Sequence, residues 1–416
     1  MSNIYRLGTA NMYDNTLRNL GARQTDLSNL QENLTSGKRV VRASDDPVSA
    51  AQAERALNRI ARIQNEQRAL ETQRNAIAQA ESSLGDAVSL VQNIRELIVN
   101  AGSGTLSTKD RATIASQIEG LRDQLTSVAN RKDTNGIPLL AALGSALQPF
   151  VGPLSGNPDY LFSGLPGQTA AQGVGLPNTL DGDSAFMFHP QRDGAYTASV
   201  SPLANDRQLT TTAVKPTNLA LVTGDNYSIT FSAVGPGATL GTLTATYTIT
   251  NTTTGAVSAP VVVPDFPANK PVTIGVTGVP GLSFDITGIP ANGDTITLQP
   301  SASIFSTIDA AVVGLRGAAN SNAATQAVGQ ALANIDTGLD RIHNMRGFAG
   351  ELLNRADRIT GDQEKRSIQL EADRSRVEDL DMIKGISDFQ NQQTGYEAAL
   401  KSYAQVQRLS LFNFLG

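Results

Sequence analysis

A strict seven-residue repeat of apolar side chains constrains this sequence more than any other feature. The repeat runs through Ile63, Leu70, Ile77, Leu84, Val91 and Ile98. Because that period keeps one apolar seam facing a partner helix, it predicts a coiled coil. Ala101-Gly102-Ser103-Gly104 interrupts the pattern, and Ser107 followed by Asp110 predicts the cap of another helix. We therefore expect a two-helix hairpin in this part of the chain.

Amphipathic stripes occupy the two ends of the chain as well. The N-terminal stripe consists of Tyr13, Leu17, Leu20, Leu27 and Leu34, and the C-terminal stripe consists of Phe389, Tyr396, Leu400, Tyr403 and Val406. Each stripe predicts a helix with one apolar face. Ordering the backbone of one residue costs about 1–2 kcal/mol, so a terminal helix of this kind is marginal alone. We therefore predict that these residues are buried between subunits and drive self-assembly.

The middle of the chain has a different composition. No Glu occurs between Glu119 and Glu351, and β-branched residues form short runs separated by turn sequences such as Asn292-Gly293-Asp294. The predicted strands are residues 196–200, 227–231, 244–249, 261–263, 272–276, 283–286 and 295–298. Helical spacing then returns at Ile308 and continues towards the C-terminus. This part of the chain is therefore predicted to be an all-β insert between helical segments.

Together these patterns predict an α+β fold, in which both chain ends contribute to a long antiparallel helical bundle or coiled coil with an all-β domain inserted. The predicted segments are an N-terminal assembly helix (1–43), the first part of the helical bundle (44–149), the β domain (150–303), the second part of the bundle (304–385) and a C-terminal assembly helix (386–416).

Composition narrows the classes of function. The chain has 33 basic and 38 acidic residues, a net charge of −5, and no basic block, which argues against nucleic-acid or anionic-lipid partners. It contains no Cys, so disulfides and thiolate metal sites are excluded. No window resembles a membrane helix of about 20 apolar residues. The N-terminus lacks the pattern of a cleavable secretory signal, so we expect a cytoplasmic protein or one exported without such a signal.

Candidate catalytic and ligand-binding residues are sparse. His189 and His343 are the two histidines, and neither lies in a zinc-binding sequence pattern. Ser36-Gly37-Lys38-Arg39 lacks the upstream glycine of a phosphate-binding loop, because Glu32 occupies that position. Asp45 and Asp46 precede Pro47, an arrangement typical of a helix N-terminus rather than of paired catalytic carboxylates. We therefore expect a protein that is not an enzyme and needs no cofactor or metal.

Several motifs carry a resemblance to a known family. The eight residues Ser36, Gly37, Lys38, Arg39, Ser44, Asp45, Asp46 and Pro47, with Leu34 and Val40 around them, resemble the N-terminal signature of the flagellin superfamily. Residues 346–355 resemble the C-terminal flagellin helix motif. Residues 157–164 and 288–298 are similar to segments of the hook-associated proteins within that superfamily, and the aromatic C-terminus resembles theirs too.

The resemblance implies a structural subunit of the bacterial flagellum that joins the hook to the filament. It also implies several partners: copies of the chain itself, a neighbouring hook-associated protein, flagellin, an export chaperone and the flagellar type III export apparatus. The implied location is extracellular, at the hook–filament junction. Two alternatives stay open at this point: a filament flagellin, and a surface adhesin or glycan-binding module displayed on a coiled coil.

Overall fold

The computed structural model describes residues 4–144, 146–156, 159–166, 176–202, 209–267, 270, 272–274 and 278–415, with the side chains of residues 1–13 and 406–416 excluded. The chain forms two compact units. One combines Met1–Ala69 with Arg358–Gly416 and is called the terminal unit below; the other is Leu70–Asp357, the central unit.

Along the chain, helices make up both terminal regions and strands make up most of the middle. The helices are α1 (Ile4–Ser36), α2 (Pro47–Ala101), α3 (Thr108–Ala129), α4 (Gly182–Phe186), α5 (Pro190–Asp193), α6 (Ile304–Gly317), α7 (Ser321–Glu378) and α8 (Met382–Leu415). The strands are β1 (Phe150–Val151), β2 (Leu161–Phe162), β3 (Tyr196–Ser201), β4 (Thr210–Thr211), β5 (Lys215–Pro216), β6 (Tyr227–Pro236), β7 (Thr242–Asn251), β8 (Val261–Pro267), β9 (Val272–Ile274), β10 (Leu282–Thr287) and β11 (Thr295–Pro300). This order confirms the predicted α+β fold class.

The seven-residue repeat of α2 forms the helical core of the central unit. Leu84, Val91 and Ile98 are fully buried. A matching repeat on α7 consists of Ile335, Ile342, Ala349 and Ala356, which are also fully buried. Ion pairs flank the two repeats: Arg74–Asp357 at 3.0 Å, Glu81–Arg346 at 2.6 Å and Arg95–Asp336 at 2.7 Å. These pairs show that α2 and α7 run antiparallel within this unit, as a coiled-coil seam requires.

The helix that follows begins as its sequence predicts. The hydroxyl of Ser107 accepts a hydrogen bond from the Asp110 amide at 3.2 Å, and the Asp110 carboxylate accepts one from the Ser107 amide at 3.2 Å. This reciprocal capping box satisfies two amides that the first turn of α3 leaves unbonded. Packing then places Ala115, Ile118 and Leu125 of α3 in the interior.

The strands that the structure describes form two larger sheets and a small two-stranded one. A five-stranded antiparallel sheet has the order β3-β11-β6-β7-β8, and a second sheet has the order β4-β10-β5 with β9 also paired to β10. Strand alternation directs Ile229, Phe231, Ala245, Ile296 and Leu298 into a shared apolar core. Each predicted strand is confirmed where the structure describes it, although residues 275 and 276 of the predicted 272–276 strand lie outside the described residues.

Three amides on α7 attach the helix to the strand backbones. Gln326 accepts from the Thr211 amide at 2.7 Å and donates to the Ala198 carbonyl at 3.0 Å. Gln330 accepts from the Ala198 amide at 3.2 Å, and Asn334 donates to the Tyr196 carbonyl at 3.0 Å. The three residues follow one another at four-residue spacing and are buried, so they pair main-chain groups that β3 and β4 would otherwise leave unbonded.

A buried polar network ties the segment before β2 to the helices. The Arg122 guanidinium lies 2.6 Å from the Tyr160 hydroxyl and 2.8 Å from the Asp309 carboxylate, and Tyr160 donates to Asp309 at 2.8 Å. Burial raises the pKa of Tyr160 and the pKa of Asp309 above their ordinary values. Breaking one member would leave a buried polar group unpaired.

Within the described residues, no helix has the length and apolar character needed to cross a membrane.

Candidate assembly surface

Helices α1 and α8 pack against each other in the terminal unit. A Cβ added at Gly385 would lie 3.2 Å from the Leu34 side chain, and one added at Gly395 would lie 2.6 Å from the Arg23 guanidinium. Residues earlier in α1 therefore meet residues later in α8, so the helices run antiparallel. The two glycines allow the close approach because they carry no side chain.

The predicted assembly residues divide into two groups on this pair. Leu20 is buried, and Leu27, Leu34, Phe389, Tyr396 and Tyr403 are half-buried. Leu17 and Leu400 instead remain exposed, at 43% and 41%. The side chains of Tyr13 and Val406 lie outside the described residues. The pairing of α1 with α8 thus accounts for much of the burial in the first group, whereas it leaves Leu17 and Leu400 partly exposed.

Sequence reasoning missed a cluster of exposed apolar residues at the start of α8. Met382, Ile383 and Ile386 are 45%, 86% and 46% exposed. Ile386 precedes Phe389 by three residues, so helical spacing could have placed it with the predicted stripe. Apolar side chains grouped within one helical turn and left exposed are typical of interaction sites.

The motif at Ser36–Arg39 forms a backbone joint. Helix α1 ends at Ser36, and Gly37 adopts a φ of +68°, a left-handed conformation that favours glycine. The Leu380 amide donates to the Gly37 carbonyl at 2.9 Å, and the Arg39 amide donates to the Glu378 carbonyl at 2.7 Å. The turn between α1 and α2 is thereby bonded to the turn between α7 and α8.

Charged side chains reinforce this joint. The Glu378 carboxylate forms ion pairs with Lys38 and, at 2.6 Å, with Arg374. Burial alone would raise the pKa of Glu378, but the hydrogen bonds from Lys38 and Arg374 outweigh it and lower that pKa. Arg39 also donates to the Val377 carbonyl at 2.7 Å. Two neighbouring motif residues, Lys38 and Arg39, therefore contact the end of α7.

The second half of the motif starts α2. Asp46 accepts hydrogen bonds from the Ser49 amide at 3.0 Å and the Ser49 hydroxyl at 2.6 Å, and these bonds lower the pKa of Asp46. Asp45 accepts from the Arg42 amide at 2.9 Å and from the Ser44 hydroxyl at 3.4 Å. The prediction that Asp46 caps a helix beginning at Pro47 is confirmed. Both carboxylates are engaged in shaping the turn.

The two histidines have different positions. His189 precedes α5, and its Nε2 lies 2.7 Å from the Asp183 carboxylate; His343 lies within α7. Among the residues that the structure describes, no group of three or more His, Cys, Asp or Glu side chains is placed to hold a metal ion.

Comparison with known families matches the two helical ends. The bacterial flagellin N-terminal helical region matches residues 8–144, and the bacterial flagellin C-terminal helical region matches residues 332–415. Together these matches cover just over half of the chain. The chain belongs to the flagellin family. Its motif joint, its paired terminal helices and most of its helical core lie inside the matched regions.

Individual relatives of this flagellin-family chain include hook-associated proteins. Flagellar hook-associated protein 3 of Escherichia coli is 39% identical over 149 residues, which is 35% of this chain; the chain spans 46% of that relative's length. The solved structure of flagellar hook-associated protein-3 from Legionella pneumophila is 27% identical with a TM-score of 0.59, covering 77% of this chain and 96% of that one. The flagellar junction protein FlgL from the same organism is 28% identical with a TM-score of 0.55, covering 73% and 97%.

Proposed function

We propose that this chain is a structural subunit of the bacterial flagellum that joins the hook to the filament. The similarity to hook-associated protein 3 and to the flagellar junction protein FlgL supports this function over a filament or adhesin role. The proposal includes self-assembly through α1 and α8, with the predicted residues of both stripes at the contacts between subunits.

The observation that carries the proposal is the incomplete burial of the terminal helical pair. Leu17 and Leu400 are exposed on α1 and α8, and Ile383 and Ile386 extend the apolar surface along α8. Burying apolar surface stabilises a contact by about 25 cal/mol per Å². Side chains that gain little within one chain gain this energy when a neighbouring subunit covers them.

The proposed partners follow from this position. They are further copies of the chain, a neighbouring hook-associated protein on one side, flagellin on the other, and an export chaperone with the type III export apparatus before assembly. The proposed location is extracellular, at the hook–filament junction. The joint at Gly37 and Glu378 serves this role by holding the α1–α2 and α7–α8 turns together through backbone hydrogen bonds.

Deletion of the gene in its own host tests the proposal. A junction subunit predicts intact hooks without filaments, together with flagellin monomers lost into the medium, and recovery when the gene is restored. Loss of flagellin itself from cells and medium would instead indicate a filament subunit. Unchanged motility would contradict both functions.

A further inference from the structure

An arginine-lined groove lies in the terminal unit, between the first turns of α2 and the last turns of α7. Its volume is about 420 Å³, and Ala56 and Leu370 lie in its lining. The charged groups along it are Arg55 and Arg59 from α2 and Arg376 and Asp373 from α7. Three positive charges thus face one negative charge.

The single carboxylate of the groove is already engaged. Asp373 accepts hydrogen bonds from Arg376 at 2.8 Å and from Gln369 at 3.0 Å. Among the described residues, neither Arg55 nor Arg59 has a hydrogen-bond or ion-pair partner, and both are exposed. The two guanidinium groups lie one helical turn apart on the same face of α2, where they can bind one carboxylate surface together.

We propose that this groove binds carboxylates of a second copy of the chain, as one of the contacts that hold assembled subunits together. This inference rests on the proposed assembly function and adds a charged contact to its apolar ones. Arginine suits such a contact because its planar guanidinium pairs with a carboxylate through two parallel hydrogen bonds. The groove recognises negative charge, and the chain as a whole carries a net charge of −5.

The second copy offers suitable groups on its terminal helices. Asp14 on α1 and Asp388 and Glu397 on α8 are exposed, and none has a partner among the described residues. They occupy the same helical pair that presents Leu17 and Leu400. When two copies pack together through these apolar residues, the carboxylates of one copy would therefore lie at the same contact, within reach of the groove of the other.

Charge reversal tests the groove against a matched control on the same helix. Arg59→Glu places a negative charge in the groove, whereas Arg68→Glu makes the same change on the opposite face of α2, where Arg68 bonds to Asn65. In a host lacking the native gene, Arg59→Glu should lower the number of filament-bearing hooks by roughly 10-fold or more, since like charges at a contact repel. Arg68→Glu should change it by less than about twofold.

The two variants also separate this inference from the proposed function. Purified Arg59→Glu should melt like the parent chain, because Arg59 has no partner to lose. If Arg59→Glu restores filaments as well as Arg68→Glu does, the groove contact is wrong and the junction function stands. If the unaltered gene fails to restore filaments to the deletion host, the junction function itself is wrong.

Crosslinking identifies the occupant. The chain contains no Cys, so introduced thiols react without background. An Arg59→Cys chain is produced together with an Asp14→Cys, Asp388→Cys or Glu397→Cys chain, and isolated flagella are treated with a bifunctional maleimide. A covalent dimer of the chain with at least one of the three is expected. Crosslinks to a different flagellar protein alone, or to none of the three positions, would overturn the assignment to a second copy.

Discussion

The central and terminal units use similar helical patterns but bury them to different extents. In the central unit, Leu84, Val91 and Ile98 of α2 are fully buried against the rest of the same chain. In α1 and α8, Leu20 is the buried apolar residue among the side chains that the structure describes, whereas Leu17 and Leu400 are exposed. An apolar period therefore predicts a helix, but it does not by itself predict how completely the same chain buries that helix; for α1 and α8 we propose that another copy completes the burial.

The largest loss of stability should come from shortening a leucine in the core of the central unit. Leu84→Ala removes a fully buried side chain and should lower the free energy of unfolding by about 2–5 kcal/mol, through lost burial and a residual cavity. Val99→Ala on the same helix is the control, since Val99 is 47% exposed. Urea denaturation followed by circular dichroism measures both. Equal losses for the two variants would show that α2 is not packed as described.

Within the terminal unit, substitutions in the joint should have the largest effect on stability. Glu378→Gln removes the charge that pairs with Lys38 and Arg374 and should weaken the joint by about 1–3 kcal/mol. Hydrogen exchange of the Arg39 and Leu380 amides, both bonded across the joint, reports its opening free energy. Glu371→Gln is the control, because Glu371 is half-exposed and pairs with Arg374 alone. Unchanged protection in Glu378→Gln would remove the carboxylate from the account of the joint.

The difference in stability of the joint between the parent chain and Glu378→Gln should depend on pH. The folded pKa of Glu378 is lowered, so its carboxylate stabilises the joint above its unfolded pKa of about 4.3. That contribution is lost as the pH falls through the folded pKa. The difference in amide protection between the parent chain and Glu378→Gln should therefore be full near neutral pH and shrink below about pH 4.3. A difference that stays constant down to pH 2 would contradict a charge-based role.

A smaller effect is expected from the backbone of the joint. Gly37→Ala forces a residue with a Cβ into a φ of +68° and should destabilise the joint by about 1 kcal/mol. Gly361→Ala in α7 is the matched control: nothing lies within 4 Å of its added Cβ, and the helical position should gain roughly 0.5–1 kcal/mol. The protection of amides in the terminal unit against hydrogen exchange should therefore fall in Gly37→Ala and rise in Gly361→Ala. Movement in the same direction would refute the assigned turn geometry.

The smallest effect on the isolated subunit should come from Leu400→Asp. Because Leu400 is 41% exposed, the free energy of unfolding should change by less than about 0.5 kcal/mol. In the assembled state the new carboxylate would enter an apolar contact unpaired, so junctions should fail to form and flagellin should be shed. Melting of the monomer and export into the medium are scored separately from assembly.

Ala398→Asp provides the control for that substitution. It adds the same charge at another exposed position of α8 but outside the apolar stripe, so assembly should persist. A Leu400→Asp monomer that melts well below the parent would place Leu400 in the core of its own chain and would count against assembly through this face.

Much of the fold could be predicted because it depends on local patterns. The end of α1 at Ser36, the caps at Asp46 and Ser107, and the strand positions follow from residues that are close in sequence. Turn residues and alternation encode these features within a few positions. The buried face of α8 is harder to predict from the sequence. Helical spacing places Tyr396, Leu400 and Tyr403 on one face, but the structure half-buries the two tyrosines and exposes Leu400.

The contacts that sequence reasoning missed join residues far apart in the chain. The backbones of Lys38 and Asp379 form an isolated antiparallel β-bridge. Arg122 pairs directly with Asp309, and Tyr160 bonds to both. A periodic pattern shows which face of a helix is apolar, but it carries no information about which polar group will lie opposite a given arginine or carbonyl. For the candidate site, the sequence therefore supplied the motif and the two stripes, and the structure supplied their partners.

The amides of Gln326 and Asn334 have an evolutionary consequence, because they bond to the main chain of the neighbouring strands. Ala198 and Tyr196 contribute an amide or carbonyl, not a side-chain functional group, to these bonds. Any residue other than proline at Ala198 presents the same two groups. The side chain at Ala198 can therefore change in the course of evolution without removing the two backbone groups that α7 binds there.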